Sequence, residues 1–116
     1  MACYQDDMSF ASGSGERLEG KTAFRERIAA NLAMWPDAHL AIDRVVAEGD
    51  KVAVEWTLSG TNTAEIQMPT GGPPIPPTGK SVLLGVATVY EVRGGLIASE
   101  HEYVDTGLLF SQLGLA

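Results

Sequence analysis

Cysteine and basic side chains are scarce in this sequence. Cys3 is the one thiol, so no internal disulfide can form, and no second cysteine or close histidine provides the ligand spacing of a metal site. Lys and Arg number 8 against 15 Asp and Glu, the formal net charge is −7, and the basic residues are scattered. Binding to nucleic acid requires a basic stripe that neutralises phosphates. We therefore expect no metal and no nucleic-acid partner.

Long apolar runs and nucleotide-binding motifs are also missing. No apolar run approaches the roughly 18 residues required to span a bilayer, and the N-terminus has no basic segment followed by an apolar one. The glycine-rich stretches 13–15 and 71–72 lack the strand and helix context of a dinucleotide site, so we expect no cofactor. We expect a cytoplasmic protein with no membrane partner. Its 116 residues, of which 45% are hydrophobic, predict a single domain spanning residues 1–116.

Apolar side chains recur at helical spacing between residues 21 and 34. Steps of three or four residues separate Phe24, Ile28, Leu32 and Trp35. This period predicts an α-helix with one apolar stripe. Pro36 predicts the end of the helix, because a proline ring clashes with the preceding helical turn.

Two β-hairpins are predicted after the helix. Residues 40–46 and 52–58 alternate in polarity around a turn at 48–51, and residues 81–92 and 96–104 flank Gly94-Gly95. A further strand is predicted at 3–12 and a short helical turn at 107–113. The segment 68–79 holds five of the 6 prolines, which predicts a loop. The order of strand, helix and four or five antiparallel strands predicts an α+β fold with the helix on one face of a curved sheet.

The last strand carries the candidate catalytic side chains. Strand alternation places His101, Tyr103 and Asp105 on one face, and Glu100, Glu102 and Val104 on the other. If the first face is buried, the pKa of Asp105 rises and suits it to move protons at neutral pH. Alternatively, Asp105 caps the short helix that follows. Tyr103 can equally be a core aromatic, and His101 an exposed or structural residue.

Three more residues are candidate ligand contacts. Trp35 and Trp56 offer flat apolar surfaces on which a planar ligand can stack. His39 is a candidate polar neighbour in the same pocket. Core packing explains the two tryptophans just as well, and isolated spacing alone supports His39.

Short motifs extend over nearly the whole chain. In chain order they are the Asp6-Asp7 strand, Trp35-Pro36-Asp37, Glu48-Gly49-Asp50-Lys51, Ser59-Gly60-Thr61, Pro76-Pro77-Thr78-Gly79-Lys80, Tyr103-Val104-Asp105 and Gln112-Leu113-Gly114. Their order and spacing resemble the SnoaL-like polyketide and ester cyclases of the nuclear transport factor two-like superfamily. Asn62 departs from the pattern, since relatives often carry histidine there.

The resemblance implies a cone-shaped α+β barrel and a function. Relatives have N-terminal helices that cover the mouth of the cone, and we expect these helices to be shortened or absent here. In the family, the aspartate that corresponds to Asp105 is the acid and base of an intramolecular aldol ring closure, so the resemblance implies an apolar carbonyl substrate. An open cone exposes an apolar patch, and we therefore expect a homodimer. A non-catalytic binding protein and an assembly module remain alternatives, because a fold does not fix a function.

Overall fold

Six strands and two helices are present in the residues that the structure describes. The structure is a computed structural model that describes residues 1–67 and 71–115. The elements are β1 (Tyr4–Ser12), β2 (Arg17–Glu19), α1 (Lys21–Met34), β3 (His39–Glu48), β4 (Lys51–Thr61), β5 (Ser81–Arg93), β6 (Leu96–Val104) and α2 (Thr106–Gln112). The strands form one curved, unclosed sheet in the order β2-β1-β6-β5-β4-β3. The predicted α+β class is confirmed. Within the described residues, no helix has both the length and the apolar character required to cross a membrane.

Strand pairing differs from the prediction at β1, and the short strand β2, antiparallel to β1, was not predicted. The two predicted hairpins, β3 with β4 and β5 with β6, are present and antiparallel. The first strand, β1, pairs with β6 in parallel, so the sheet is mixed rather than antiparallel throughout. A parallel pair requires a long crossover, and α1 with the first hairpin lies between these strands in the chain. Local patterns show hairpin neighbours but not this long-range partner.

Helix α1 has the predicted bounds. Trp35 leaves the helical region at φ −128° and ψ 75°, because a residue before proline is displaced from α geometry. The start of the apolar stripe is covered, since Phe24 is buried against Met8 and Phe10. Leu32, nearer the end, is 61% exposed. The helix contacts β1 and β2, while its last residue, Met34, packs against the cluster of Ile66 and Val82.

The two faces of the sheet differ in burial. Along β5 the side chains alternate, so that Leu84 and Thr88 are buried while Leu83 and Ala87 are exposed. Helix α1 packs on the buried side. We call this side the inner face; its residues include Tyr4, Phe10, Val54, Trp56, Leu84, Val86, Thr88, Tyr90, Glu100 and Glu102. The opposite side is the outer face; its residues include Val46, Ala53, Glu55, Leu83, Gly85, Ala87, His101 and Tyr103.

Asn62 fixes the loop that follows β4. Its side chain is fully buried, and its Oδ1 accepts hydrogen bonds from the backbone N of Thr78 at 2.8 Å and from Thr78 Oγ1 at 2.7 Å. Its Nδ2 donates to the carbonyl of Ala64 at 2.8 Å. These bonds hold the loop where Ile66 packs on Val82. The predicted loop 68–79 lies partly outside the described residues; in its described part, 71–79, we find an isolated bridge but no strand.

Candidate functional site

The register of β6 places two glutamates side by side on the inner face. Glu100 is paired with Phe10 of β1 and with Tyr90 of β5, and Glu102 is paired with Thr88 of β5. Glu100 is 8% exposed and Thr88 is 1% exposed. Glutamate is seldom buried to this extent unless it has a polar partner. Two carboxyl groups in a covered and largely apolar setting mark this part of the sheet as the candidate site.

The three predicted catalytic residues lie elsewhere. His101 is exposed, and Tyr103 is 52% exposed on the outer face. Asp105 is the N-cap of α2, where its Oδ1 accepts a hydrogen bond from the backbone N of Leu108 at 2.9 Å. The condition for a raised pKa at Asp105, burial of this face of β6, is therefore not met, and the capping alternative for Asp105 is the observed one. A catalytic role for the three residues stays a prediction that their exposed positions do not favour.

Open depressions on the outer face do not reunite these residues. Tyr103 lines one of about 280 Å³ together with Gly85 and Ala87. His101 lines another of about 400 Å³ together with Glu91 and Arg93. Asp105 lines neither. Both depressions are open, whereas burial perturbs the carboxyl groups of the inner face, and we therefore place the candidate site on the inner face.

One of the three predicted ligand contacts shares the inner face. Trp56 lies there, and its Nε1 donates to Thr88 Oγ1 at 2.9 Å. Trp35 is half-buried at the end of α1 and packs against the cluster of Ile66 and Val82. His39 is exposed at the first residue of β3. The structure thus brings Trp56 near the glutamates and leaves Trp35 and His39 outside that group.

Burial perturbs both glutamates, and the charge of Glu100 also perturbs Glu102. Burial raises the pKa of Glu100, and a hydrogen bond from the Tyr4 hydroxyl at 2.7 Å opposes the rise. Burial likewise raises the pKa of Glu102, and the charge of Glu100 raises it further, while the charge of Arg27 lowers it. A carboxyl whose pKa moves toward neutrality can both give and take a proton at physiological pH.

Two tyrosines provide hydrogen-bond donors beside these carboxyl groups. Burial and then the charge of Glu100 raise the pKa of Tyr90 to about 12. Burial and the hydrogen bond to Glu100 also raise the pKa of Tyr4. Both phenols therefore keep their protons at neutral pH. The Tyr4 proton is committed to Glu100, whereas Tyr90 faces Glu100 across the β5–β6 ladder.

An ion pair lies beside the glutamates. Arg27 of α1 donates from Nε to Glu16 Oε2 at 2.8 Å, and a second guanidinium nitrogen donates to Asn31. Glu16 belongs to the β1–β2 turn and is 13% exposed at its side chain. Among the described residues, no group of three or more His, Cys, Asp or Glu is arranged to hold a metal ion.

The alternation in β6 separates the two faces but does not show which one is buried. The positions that share a face with Glu100 and Glu102 include Ala98 and Val104. In the neighbouring strand β5 both sets of alternate positions are apolar, with Val82, Leu84 and Val86 in one and Leu83, Ala87 and Val89 in the other. The neighbouring strand therefore gives no signal for the core side. No local signal pointed to Tyr4, Glu16 or Arg27, which come from distant parts of the chain.

A comparison of the sequence with protein families decides the family. The profile of the SnoaL-like polyketide cyclases matches residues 2–113. The chain belongs to the SnoaL-like polyketide cyclase family. No protein of curated function matches this SnoaL-like chain at a significant level.

Solved structures confirm the fold of this SnoaL-like chain. A Jannaschia sp. CCS1 protein described as a SnoaL-like polyketide cyclase superposes with a TM-score of 0.84 at 18% identity, over 99% of this chain and 76% of that one. IdmH of Streptomyces antibioticus, described as a polyketide cyclase, gives 0.79 at 22% identity over 97% and 83%. AclR of Streptomyces galilaeus, described as a hydroxylase, gives 0.80 at 20% identity over 99% and 80%. At these identities the likeness establishes the fold alone.

Proposed function

We propose that this chain is a small enzyme of the cyclase or isomerase kind, in which Glu102 moves a proton on an apolar carbonyl compound bound at the inner face. The observation that carries the proposal is the pair of glutamates on the covered side of β6, with pKa values raised by burial. Membership of a cyclase family supports the reaction class. The acid and base role that the resemblance suggested for Asp105 thereby moves to the buried side of the same strand.

The proposed reaction needs a base, an acid and a donor. The Glu102 carboxylate removes a proton from the carbon next to a carbonyl group, and the C–H electrons form the C=C bond of an enolate. That enolate carbon attacks a second carbonyl carbon of the same molecule and closes a ring. The new alkoxide oxygen then takes the proton from Glu102, which returns to the carboxylate. Positioned donors stabilise an enolate oxygen. We assign this role to Tyr90, whose phenol keeps its proton, because the Tyr4 hydroxyl already donates to Glu100.

The Tyr4 hydrogen bond divides the two carboxyl groups by role. It stabilises the ionised form of Glu100, because a hydrogen bond to a carboxylate favours its charge. The ionised Glu100 repels a second negative charge on Glu102. Neighbouring carboxyl groups of this kind titrate as a pair, and one of them keeps a proton to higher pH. We assign the higher of the two pKa values to Glu102, which takes the substrate proton in its ionised form and gives it back from its protonated form.

Proton exchange tests this assignment without knowledge of the natural substrate. We would follow α-proton exchange of 2-tetralone in D₂O by NMR, with the wild type, Glu102→Gln and Asp105→Asn. Removing the acid–base group should slow the enzyme-catalysed exchange by roughly 10²-fold or more. Asp105→Asn is the matched control, because asparagine is also a good N-cap and should keep α2 intact. Fast exchange in Glu102→Gln together with slow exchange in Asp105→Asn would return the role to Asp105.

A non-catalytic binding protein is the second candidate. Apolar side chains on the inner side of β3 are uncovered, with Leu40 58%, Ile42 72% and Val45 55% exposed, and this surface continues toward Trp56. An apolar ligand can bind there without reaction. Quenching of tryptophan fluorescence by 2-tetralone, with no exchange above the protein-free rate, would favour this candidate.

A further inference from the structure

We infer that Glu16 and Arg27 are positioning residues for Glu102. Glu16 forms an ion pair with the guanidinium of Arg27 and holds it beside the inner-face carboxyl groups. The pair thereby sets how readily Glu102 exchanges a proton. This inference rests on the proposed function of Glu102. It assigns a task to an ion pair that the proposed reaction does not otherwise use.

The backbone places Glu16 next to Glu102. Ser12, the last residue of β1, is the ladder partner of Glu102. The backbone N of Gly13 donates to the carbonyl of Glu102 at 2.8 Å, and the backbone N of Ser12 donates to the carbonyl of Glu16 at 2.9 Å. The β1–β2 turn therefore folds back over the end of the β1–β6 ladder and brings Glu16 close to Glu102.

Helix α1 brings the guanidinium to this turn. Arg27 lies one helical turn beyond Phe24, whose ring packs 5.3 Å from that of Phe10 on the inner face. Glu16 accepts from Arg27 Nε, and Asn31 accepts from a second nitrogen of the same group. The side chains of Arg27 and Glu16 are 23% and 13% exposed, so the pair is largely shielded from water. Because its two acceptors lie on different elements, the guanidinium group of Arg27 is held in one orientation.

The charged and titratable neighbours of Glu102 come from every element around it. Glu100 lies on its own strand, Tyr90 on β5, Arg27 on α1 and Glu16 on the β1–β2 turn, and Tyr4 of β1 binds Glu100. Arg27 is the only cation in this group. Its charge lowers the pKa of Glu102, whereas the charges of Glu100 and Glu16 raise it.

The ion pair keeps Arg27 from holding Glu102 permanently in its ionised form. A guanidinium in direct contact with Glu102 would hold it ionised and remove its ability to give a proton. Because Glu16 and Asn31 already occupy the guanidinium, its influence on Glu102 is a partial one. Releasing Arg27 from Glu16 and removing Arg27 should therefore have opposite effects on Glu102.

Carbon NMR of glutamate carboxyl groups tests this without any substrate. In protein labelled with ¹³C-glutamate, the Cδ shift of Glu102 is followed against pH in the wild type, Glu16→Gln, Arg27→Gln and Arg27→Lys. We expect the pKa of Glu102 to fall in Glu16→Gln, because a negative charge is lost and Arg27 is released. We expect it to rise in Arg27→Gln and to stay closer to the wild-type value in Arg27→Lys. Arg25→Gln, at an exposed position on the same helix, is the matched control and should cause no shift.

Opposite signs separate positioning from a merely structural role. If the pair only holds α1 on the sheet, both glutamine variants admit water and both lower the pKa of Glu102 toward its ordinary value. Shifts of the same sign, or no shift in Arg27→Gln, overturn the inference. The proposed function fails independently, through unchanged 2-tetralone exchange in Glu102→Gln, so the two failures can be told apart.

Discussion

Replacing Asn62 with alanine should lower the free energy of unfolding by about 3 kcal/mol. The substitution removes three side-chain hydrogen bonds from a position that is 0% exposed, and each contributes roughly 1 kcal/mol net. It also leaves the backbone N of Thr78 and the carbonyl of Ala64 without these partners. Both residues are half-buried, so water can replace part of what is lost, and the figure stays near the sum of the three bonds.

Urea unfolding followed by circular dichroism and tryptophan fluorescence measures this loss. For a chain of this size, about 3 kcal/mol corresponds to a fall in Tm of roughly 10 °C. Gln67→Ala is the matched control from the same loop: Gln67 is exposed and its amide donates to Glu65, so its loss should change stability by no more than about 0.5 kcal/mol. An Asn62→Ala variant as stable as Gln67→Ala would refute the reasoning that Asn62 holds the loop.

Two further predictions concern pH and assembly. Because the pKa values of Glu100 and Glu102 are raised, these two groups bind more protons in the folded state than in the unfolded state. Their contribution to stability is therefore greatest below the ordinary glutamate pKa of 4.5 and is lost as pH rises through the folded-state values. Over that pH window, the urea midpoint of Glu102→Gln should rise relative to that of the wild type. A difference in midpoint that does not change with pH would contradict the raised pKa of Glu102. The homodimer stays a prediction, and we expect the second copy to pack on the outer face, where small residues such as Ala87 let two sheets approach closely. Light scattering should find Ala87→Arg monomeric and Ala29→Arg, an exposed control on α1, dimeric; a monomeric wild type would rule this out.

Local patterns were sufficient for most of the elements. The bounds of α1 followed from the spacing of Phe24 and Ile28 and from the proline after Trp35, because both act within one helical turn. The β5–β6 hairpin followed from Gly94 and Gly95, which adopt φ values of 58° and 79° that other residues rarely accept. The parallel pairing of β1 with β6 did not follow, because it joins segments about ninety residues apart with no turn between them.

The candidate site was the harder part to predict. Strand alternation correctly separated His101, Tyr103 and Asp105 from Glu100 and Glu102, but it does not say which set faces the core. The position of Asp105 at the strand end and the family resemblance favoured the set that ends in the aspartate. In the structure that set is exposed, and the aspartate caps a helix.

By itself, the sequence determined most of the elements, the α+β class and the family, because these depend on short-range spacing and on motifs in a fixed order. The tertiary structure alone decided which carboxyl groups are buried. Burial depends on where α1 packs and on which strand lies beside β6, and neither is encoded within the strand itself. The same two-residue period that separated the faces so cleanly also made them equivalent until the helix covered one of them.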